Sequence, residues 1–292
     1  MAEQSPGFYR YKVGSLVVTT VLDGSSARAN PTQGFVLNAD SAAVRSAILD
    51  AGLNPASLDN PYNVTVVQTG RQTILFDAGT GGQLNPAVNR IPANMAAAGL
   101  DPAQVDIVAI THFHPDHISG LTSAANAALF PKAEIVVPAA EWAWWTTEGN
   151  VPRTPEAQRG VFANTRRRFG PYAGRLRMLA DGAEVAPGIR LVAAHGHTPG
   201  HSAYHVTDGN QALYVMGDCS SRPELFLRYA DWYSVVDVDG PMASASRKRL
   251  FGRAADERAR VVGFHFPFPA NGYVARDGSG FRFVPTEWSS AV

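Results

Sequence analysis

Apolar residues recur along the chain in the two patterns that distinguish strands from helices. Short runs rich in Val, Ile, Leu and Phe predict β-strands. The predicted strands are residues 8–13, 16–22, 64–68, 73–76, 105–111, 135–137, 189–193, 203–207, 213–216 and 261–264. Helical spacing predicts helices at residues 42–50, 93–98, 139–145, 155–169 and 243–255.

The two kinds of element alternate in each half of the chain, which indicates an α/β protein with helices packed on the outer faces of its sheets. No Pro- or Gly-rich linker separates the halves, so residues 1–292 are predicted to form one domain. Residues 25–61 are rich in Ala, Asn, Ser and Pro and show weak periodicity. We expect a long excursion there, with a short helix, near the active site.

Charge and hydropathy exclude several kinds of partner. Lys and Arg total 25, as do Asp and Glu, so the net charge is zero, whereas a nucleic-acid binder usually carries a basic excess. The one basic cluster, residues 166–168, fits the solvated face of a helix. No apolar run approaches the ~18 residues that a membrane span requires. We therefore expect neither nucleic acid nor membrane as a partner.

The single cysteine, Cys219, rules out an internal disulfide. Residues 1–6 lack the basic and apolar segments of a signal peptide. We expect a cytoplasmic location, or a periplasmic one if a leader has been removed.

A dense group of metal-binding residue types follows a buried apolar strand. His112 and His114 are two residues apart, so on an extended segment their imidazoles project to the same side. Pro115 disfavours a helix at His114 and bends the chain, which lets Asp116 and His117 diverge toward a second position. Three histidines and one aspartate within six residues favour a borderline metal such as zinc over a merely solvated loop.

A second histidine cluster, residues 195–201, also lies at a strand end. We assign His197 as a ligand because it directly precedes a Thr-Pro-Gly turn. His201 is more consistent with a role behind the ligands or in packing. The role of His195 is left open.

Asp218 and His265 are weaker candidates, each after an apolar strand. Gly-Asp is a common turn dipeptide, and a lone histidine at such a place is usually structural. A strand-end carboxylate can nevertheless bridge two cations. The predicted ligands are His112, His114 and His197 for one ion, Asp116, His117 and His265 for the other, and Asp218 between them.

Two divalent cations, with Zn²⁺ favoured over Mn²⁺, Co²⁺ or Fe²⁺, would explain this donor set. Cations ~3.5–4 Å apart lower the pKa of a shared water toward ~7, so a hydroxide is the expected nucleophile. Asp116 and Asp218 are its expected catalytic carboxylates.

The motif His-Phe-His-Pro-Asp-His at 112–117 resembles the metal motif of the metallo-β-lactamase superfamily. Asp77-Ala78-Gly79, His197 in Gly-His-Thr-Pro-Gly-His, Gly217-Asp218 and His265 recur in that superfamily's order. The resemblance implies a four-layer αβ/βα sandwich, two mixed sheets with outer helices, and a site at one sheet edge. It also implies the seven ligands given above and a supporting role for Asp77 near the metals.

Within that superfamily, the chain is similar to methyl parathion hydrolase and its lactonase-like relatives. The similarity covers the opening residues 6–10, the second histidine cluster and the closing residues 265–285. It implies a homodimer and a tryptophan that lines the pocket. We predict that Trp145, Trp144 and Phe113 contact the substrate. Trp142, Trp144 and Trp145 cannot all face one way on a helix, and core packing is the alternative for each.

The leading functional hypothesis is a metal-dependent hydrolase of neutral esters or lactones, and of organophosphate triesters as a further substrate class. The absence of an obvious cationic clamp favours neutral small molecules. A β-lactamase or thioester hydrolase would need such a clamp, for which Arg222 and Arg228 are candidates. An iron-dependent redox enzyme and a protein that uses metal only for folding are further alternatives. Structural zinc sites are closed, however, whereas seven donors for two ions leave open positions.

Overall fold

Two seven-stranded mixed sheets form the centre of the protein in the computed structural model, which describes residues 7–85 and 87–292. The first sheet keeps chain order: β1 (Phe8–Val13), β2 (Leu16–Ala29), β3 (Ser57–Gln68), β4 (Thr73–Phe76), β5 (Ile107–Ala109), β6 (Glu134–Pro138) and β7 (Leu176–Leu179). In the second sheet, neighbouring strands are likewise consecutive in the chain: β8 (Glu184–Ala186), β9 (Ile189–Ala193), β10 (Ser202–Asp208), β11 (Gln211–Val215), β12 (Arg260–Val262), β13 (Asn271–Asp277) and β14 (Gly280–Pro285). The pairs β4–β5, β5–β6, β6–β7 and β11–β12 are parallel, and the others are antiparallel.

Within the described residues, six α-helices accompany the sheets: α1 (Ser41–Asp50), α2 (Ile91–Ala97), α3 (Pro115–Ile118), α4 (Ala139–Thr146), α5 (Gly160–Phe169) and α6 (Gly240–Asp256). Short 3₁₀ turns occupy Pro102–Gln104, Ser119–Leu121, Glu148–Arg153, Glu156–Gln158 and Gly170–Arg175, and a π turn occupies Pro223–Leu227. In the described ranges, no helix combines the length and hydropathy that crossing a bilayer would require.

Alternating side chains of the first sheet divide between two apolar layers. Val67 belongs to the cluster that Tyr204 of the second sheet also joins, whereas its neighbour Val66 belongs to the cluster that contains Met95 of α2 and Trp145 of α4. On α6, Leu250 packs into the cluster that the second sheet shares. Because successive strand residues point to opposite faces, this division places helices outside two facing sheets. The predicted sandwich of two mixed sheets is confirmed.

The segment 25–61 was predicted as an excursion, and the structure changes its extent. Its two ends extend β2 and β3, and Arg28 lies opposite Leu58 in their antiparallel pairing. Only the residues between these strands leave the sheet, and they carry α1 and a small apolar cluster around Ile48 and Phe226. Local periodicity missed the extension because long-range pairing, not an apolar run, supplies its hydrogen bonds.

Several other boundaries also differ from prediction. The strands β7, β8, β13 and β14 were not predicted, since they lie at or near sheet edges and alternate with exposed residues. The predicted helix 155–169 begins as a separate 3₁₀ turn, and only α5 is α-helical.

A bulge in β2 connects the sheet to the site. The register with β3 shifts at Asp23, between Leu22 and Gly24. The buried Asp23 carboxylate accepts hydrogen bonds from the backbone and hydroxyl of Thr80 and from the backbone of Ile91. The bulge therefore holds the loop that follows β4, where Asp77 is found.

Candidate metal centre

Four loops that follow strands converge on one edge of the sandwich. The loop after β5 carries residues 112–117, and the loop after β9 carries His197. Asp218 and His265 follow the parallel strands β11 and β12. Strands that run the same way end at the same sheet edge, so these residues meet although they are far apart in sequence.

Three imidazoles form the first group of donors. His114 Nδ1 lies 3.0 Å from His112 Nε2 and 2.9 Å from His197 Nε2. All three side chains are buried. The one lone pair of His114 Nδ1 cannot accept a good hydrogen bond from two ring N–H groups at once. Three lone pairs directed at a common point instead suit a cation.

Carboxylates and imidazoles alternate in the second group. His265 Nε2 lies 3.2 Å from Asp116 Oδ2 and 3.3 Å from Asp218 Oδ2. His117 Nε2 lies 3.7 Å from Asp116 Oδ2 and 3.4 Å from Asp218 Oδ1. Asp218 Oδ2 is also 3.3 Å from His197 Nε2. Asp218 thus touches both groups, as a bridging residue would.

Two buried atoms at this junction lack a hydrogen-bond partner among the described residues, namely His117 Nε2 and Asp218 Oδ1. Buried polar atoms are normally paired. Because these two belong to the predicted donor set, the residues present fit a pair of divalent cations.

Charge in the site follows the carboxylates: burial opposes a proton on His197, but contacts with Asp218 and Asp237 outweigh it and raise the pKa of His197 to about 9. Burial, reinforced by neighbouring histidines, lowers the pKa of His114 to about 3, so its ring is neutral and free to donate a lone pair. Burial also opposes a proton on His117, but Asp77, Asp218 and Asp116 outweigh it and raise the pKa of His117 to about 10. The carboxylate-rich half therefore demands positive charge, which divalent cations would supply.

Asp77 supports the first motif from behind. Its carboxylate accepts hydrogen bonds from the backbone and hydroxyl of Thr111, both at 2.8 Å, and contacts His117 Nδ1 at 2.8 Å. Its φ of 59° lies in the left-handed region, which costs a non-glycine residue free energy. The strained turn orients the carboxylate toward His117, and the supporting role of Asp77 near the metals stays a prediction.

The other donors are held from behind too. His197 Nδ1 lies 2.8 Å from Asp237 Oδ1, and His265 Nδ1 donates to the Pro61 carbonyl at 2.8 Å. Both ring nitrogens of His201 have backbone partners, Nδ1 at the Ala194 carbonyl and Nε2 at the Asp218 N–H, so the assignment of His201 to a place behind the ligands stays a prediction that fits these contacts. Such contacts fix ring orientation and tautomer.

Glu141 joins the two histidine loops. It is fully buried on α4, where Oε1 accepts from the Phe113 backbone and Trp145 Nε1, and Oε2 accepts from the Thr198 hydroxyl and Gly200 backbone. Burial raises the pKa of Glu141, and the four hydrogen bonds act against that rise. One carboxylate thus ties the loop of His112 and His114 to that of His197.

A cavity of about 380 Å³ opens onto the donors. His114, Asp116, His197, Asp218 and His265 line its floor. Arg28, Phe35, Asn60, Tyr62, Leu84, Gln158, Val161 and Val236 are among its other lining residues. Arg28, Phe35 and Asn60 belong to the segment 25–61 that was expected near the site.

The residues predicted to contact substrate lie elsewhere. Phe113 is fully buried against Phe169, with ring centroids 4.7 Å apart. Trp145 is also fully buried and packs on Phe162. Trp144 donates to Thr154 outside the cavity. This corrects the prediction: Phe113 in the loop after β5 and both tryptophans of α4 belong to or pack against the apolar layer beneath the first sheet, so the alternative of core packing applies.

The two arginines proposed as cationic clamps also lie away from the cavity. Arg222 donates to the Asp59 carbonyl and pairs with Glu224, and Arg228 pairs with Asp277 on the surface. Neither lines the cavity, which instead contains Arg28.

Sequence reasoning missed Glu141, Asp237 and Arg28. Glu141 had a usable signal, because a single acid in the apolar helix Ala-Ala-Glu-Trp-Ala-Trp-Trp needs buried partners. Asp237 and Arg28 had none, since their roles arise from contacts between distant segments.

The fold and the clustered donors define a metal-dependent hydrolase. Residues 58–265 match the sequence profile of the Metallo-beta-lactamase superfamily, which spans well over half of the chain. The protein belongs to that superfamily. A search of curated protein sequences found no significant match.

Solved structures share the fold over nearly the whole chain. The hydrolase AbOPH of the β-lactamase superfamily is 22% identical, with a TM-score of 0.92 over 99% of this chain and 100% of that one. AidC, a dizinc quorum-quenching lactonase, is 23% identical, with a TM-score of 0.91 over 97% and 99%. A probable metal-dependent hydrolase from Staphylococcus aureus is 20% identical, with a TM-score of 0.75 over 95% and 100%.

Proposed function

We propose that the protein hydrolyses carboxylic esters, with lactones as its preferred substrates, at a centre of two divalent cations. The observation that carries the proposal is the meeting of seven donors, five of which line the floor of one cavity, with Asp218 in contact with both groups. The likeness of the protein's fold to that of the lactonase AidC supports lactones as the substrate class.

The assignment of ligands follows the two groups. His112, His114 and His197 would hold one cation, Asp116, His117 and His265 the other, and Asp218 both. Cations bound there would activate water as a nucleophile and polarise the carbonyl oxygen of the ester. Zinc suits the mixture of imidazole and carboxylate donors best.

Other residues of the chain hold the ligand side chains in place, and one carboxylate transfers the proton. Asp77, Asp237 and His201 hold His117, His197 and Asp218 in place. We assign proton transfer to Asp116, a carboxylate that lines the cavity. The water oxygen bonds to the carbonyl carbon, the ester C–O bond breaks, and Asp116 passes the water's proton to the departing alkoxide, which leaves an acid and an alcohol.

The proposal is tested by assaying lactones, aryl esters, phosphotriesters, β-lactams and thioesters with metal analysis in parallel. We expect lactones to react fastest, activity to disappear on chelation, and zinc to restore it. Phosphotriesters test the further substrate class that the sequence suggested. A zinc-loaded protein inactive on every ester, or a coloured iron-filled one, would contradict the proposal and favour the redox alternative.

Asp218→Ala, compared with a control variant, tests whether Asp218 bridges the two cations or only affects folding. We expect it to lose at least one equivalent of metal and nearly all activity, because both groups lose a shared ligand. Asp50→Ala, which removes an exposed carboxylate on α1, is the matched control. Unchanged metal content in Asp218→Ala would refute the bridge.

A further inference from the structure

The cavity is asymmetric in charge. Its floor contains the carboxylates and imidazoles assigned to the metals, and both carboxylates there are committed to that centre. Arg28 lines the cavity with Phe35, Asn60 and Tyr62. Within the part of the chain that the structure describes, Arg28 is the one lysine or arginine that lines this cavity.

The Arg28 guanidinium is held in place by stacking. Its Cζ lies 4.3 Å from the centre of the Phe35 ring, a distance typical of a cation–π contact. The backbone of Arg28 is fixed in β2, opposite Leu58 of β3. Burial lowers the pKa of Arg28 from its ordinary value, yet an arginine stays charged at neutral pH. The cavity therefore presents a positioned, permanent cation.

That cation has no counter-ion in the protein. In the described ranges, the Arg28 guanidinium forms neither a salt bridge nor a hydrogen bond with the protein, although it is half-buried. Other buried arginines are paired: Arg222 with Glu224, and Arg247 with the carbonyls of Cys219, Ala230 and Trp232. A guanidinium kept at a cavity wall with its donors free is suited to bind a planar anion from solution.

We propose that Arg28 binds a carboxylate carried by the substrate at a distance from the scissile ester bond, so that the enzyme prefers anionic lactones or esters to neutral ones. The inference rests on the proposed hydrolase function and names its substrate class. It replaces the expectation of a neutral substrate, which relied on the absence of a cationic clamp. Stacking on Phe35 restricts the guanidinium before binding, which lowers the entropic cost of forming two parallel hydrogen bonds.

The test compares γ-carboxy-γ-butyrolactone with its carboxamide, which has a similar shape and no charge. Wild-type protein should prefer the carboxylate. Arg28→Met should lower kcat/KM for the carboxylate by roughly tenfold to a hundredfold, mainly through KM, because a hydrogen-bonded charge is lost. The carboxamide should change by less than about threefold, since a neutral amide gains little from the cation. Arg28→Lys should fall between them, because lysine keeps the charge without the fork.

Two controls exclude trivial explanations. Arg71→Met removes an exposed arginine from the turn between β3 and β4 and should leave both substrates unaffected. Circular dichroism and metal content should show that Arg28→Met is folded and loaded. If Arg28→Met changes both substrates equally, or neither, Arg28 serves only packing and the proposal is overturned.

Glutarate gives a readout without turnover, since it has two carboxylates and no ester bond. Calorimetric titration should show about tenfold weaker binding to Arg28→Met than to the wild type, and equal or absent binding in both would overturn the proposal. If glutarate binding depends on Arg28 while neither lactone is hydrolysed, the proposed function fails and the anion site stands. If the lactones are hydrolysed without regard to charge or Arg28, only the anion site fails.

Discussion

Glu141 shows at the scale of one residue how the site is built. A fully buried carboxylate is costly to desolvate, and here four hydrogen-bond donors compensate it. Three of these donors, the N–H groups of Phe113, Gly200 and the Trp145 ring, cannot reverse to become acceptors. The geometry of both histidine loops therefore depends on a side chain with two accepting oxygens.

Glu141→Gln tests this dependence. Either orientation of the glutamine amide directs its NH₂ group at one or more fixed N–H donors, so we expect a loss of about 1–3 kcal/mol in unfolding free energy. We also expect weaker metal retention, because the loops of His114 and His197 lose their common support. Chemical denaturation and metal analysis after dialysis provide the measurements.

Glu148→Gln is the matched control for that change, because Glu148 is exposed and its ion-pair partner among the described residues is the exposed Arg166. It should alter stability by no more than about 0.5 kcal/mol. Equal stability of both variants would show that Glu141 does not support the loops.

The tryptophans of α4 show, also at the scale of single residues, that an aromatic side chain near a metal motif need not contact substrate. An aromatic residue near a metal motif suggests a substrate pocket, but Trp145 is fully buried and donates to Glu141. Its role is to complete the support of the loops, which helical spacing alone did not distinguish from lining a pocket.

At the scale of elements, the loop after β9 and the start of α4 approach unusually closely. Gly200 donates to Glu141 at 2.8 Å, and a Cβ at Gly200 would lie only 2.0 Å from the Glu141 backbone nitrogen. A glycine is required here by space, not by its φ angle. The contact sets the distance between α4 and the loop that carries His197.

Gly200→Ala should force these two elements apart. We expect a loss of about 1–3 kcal/mol in stability, typical of overpacking, together with reduced metal binding at the first group. Thermal denaturation and zinc titration would show both effects. Gly174→Ala is the control, since a Cβ there meets nothing within 4 Å; equal effects of the two variants would contradict the argument.

At the scale of the whole molecule, the metal centre joins loops from both sheets. His112 and Asp116 come from the first sheet, whereas His197, Asp218 and His265 come from the second. Bound cations would therefore fasten the two halves of the sandwich, and they would also neutralise the buried carboxylates.

Metal removal should consequently lower the melting temperature. A ligand present at about a thousand times its Kd stabilises the folded state by ~4 kcal/mol, which corresponds to a change of roughly 10 °C for a chain of this size. Scanning fluorimetry with chelator and then with added zinc measures the change. The melting temperature of Asp218→Ala should change less on metal removal than that of the wild type. A wild-type melting temperature that does not depend on metal would show that bound cations do not hold the two sheets together.

The sequence by itself determined the class of fold, most of the strands and the identity of the candidate donors. Apolar strands followed at once by His112, Asp218 or similar residues are local signals, because burial and side-chain chemistry are both visible in a short window. The spacing of His112 and His114 likewise needs only local geometry. The assignment of individual ligands and the predicted homodimer stay predictions.

Only the tertiary structure decided which residues share a space. The bridging position of Asp218, the support of His197 by Asp237, and the burial of Phe113 and Trp145 depend on contacts between segments far apart in the chain. Arg28 reaches the cavity because β2 and β3 extend past the bulge at Asp23, which no apolar pattern indicates. Local sequence specifies what each residue can do, whereas long-range packing specifies what it meets.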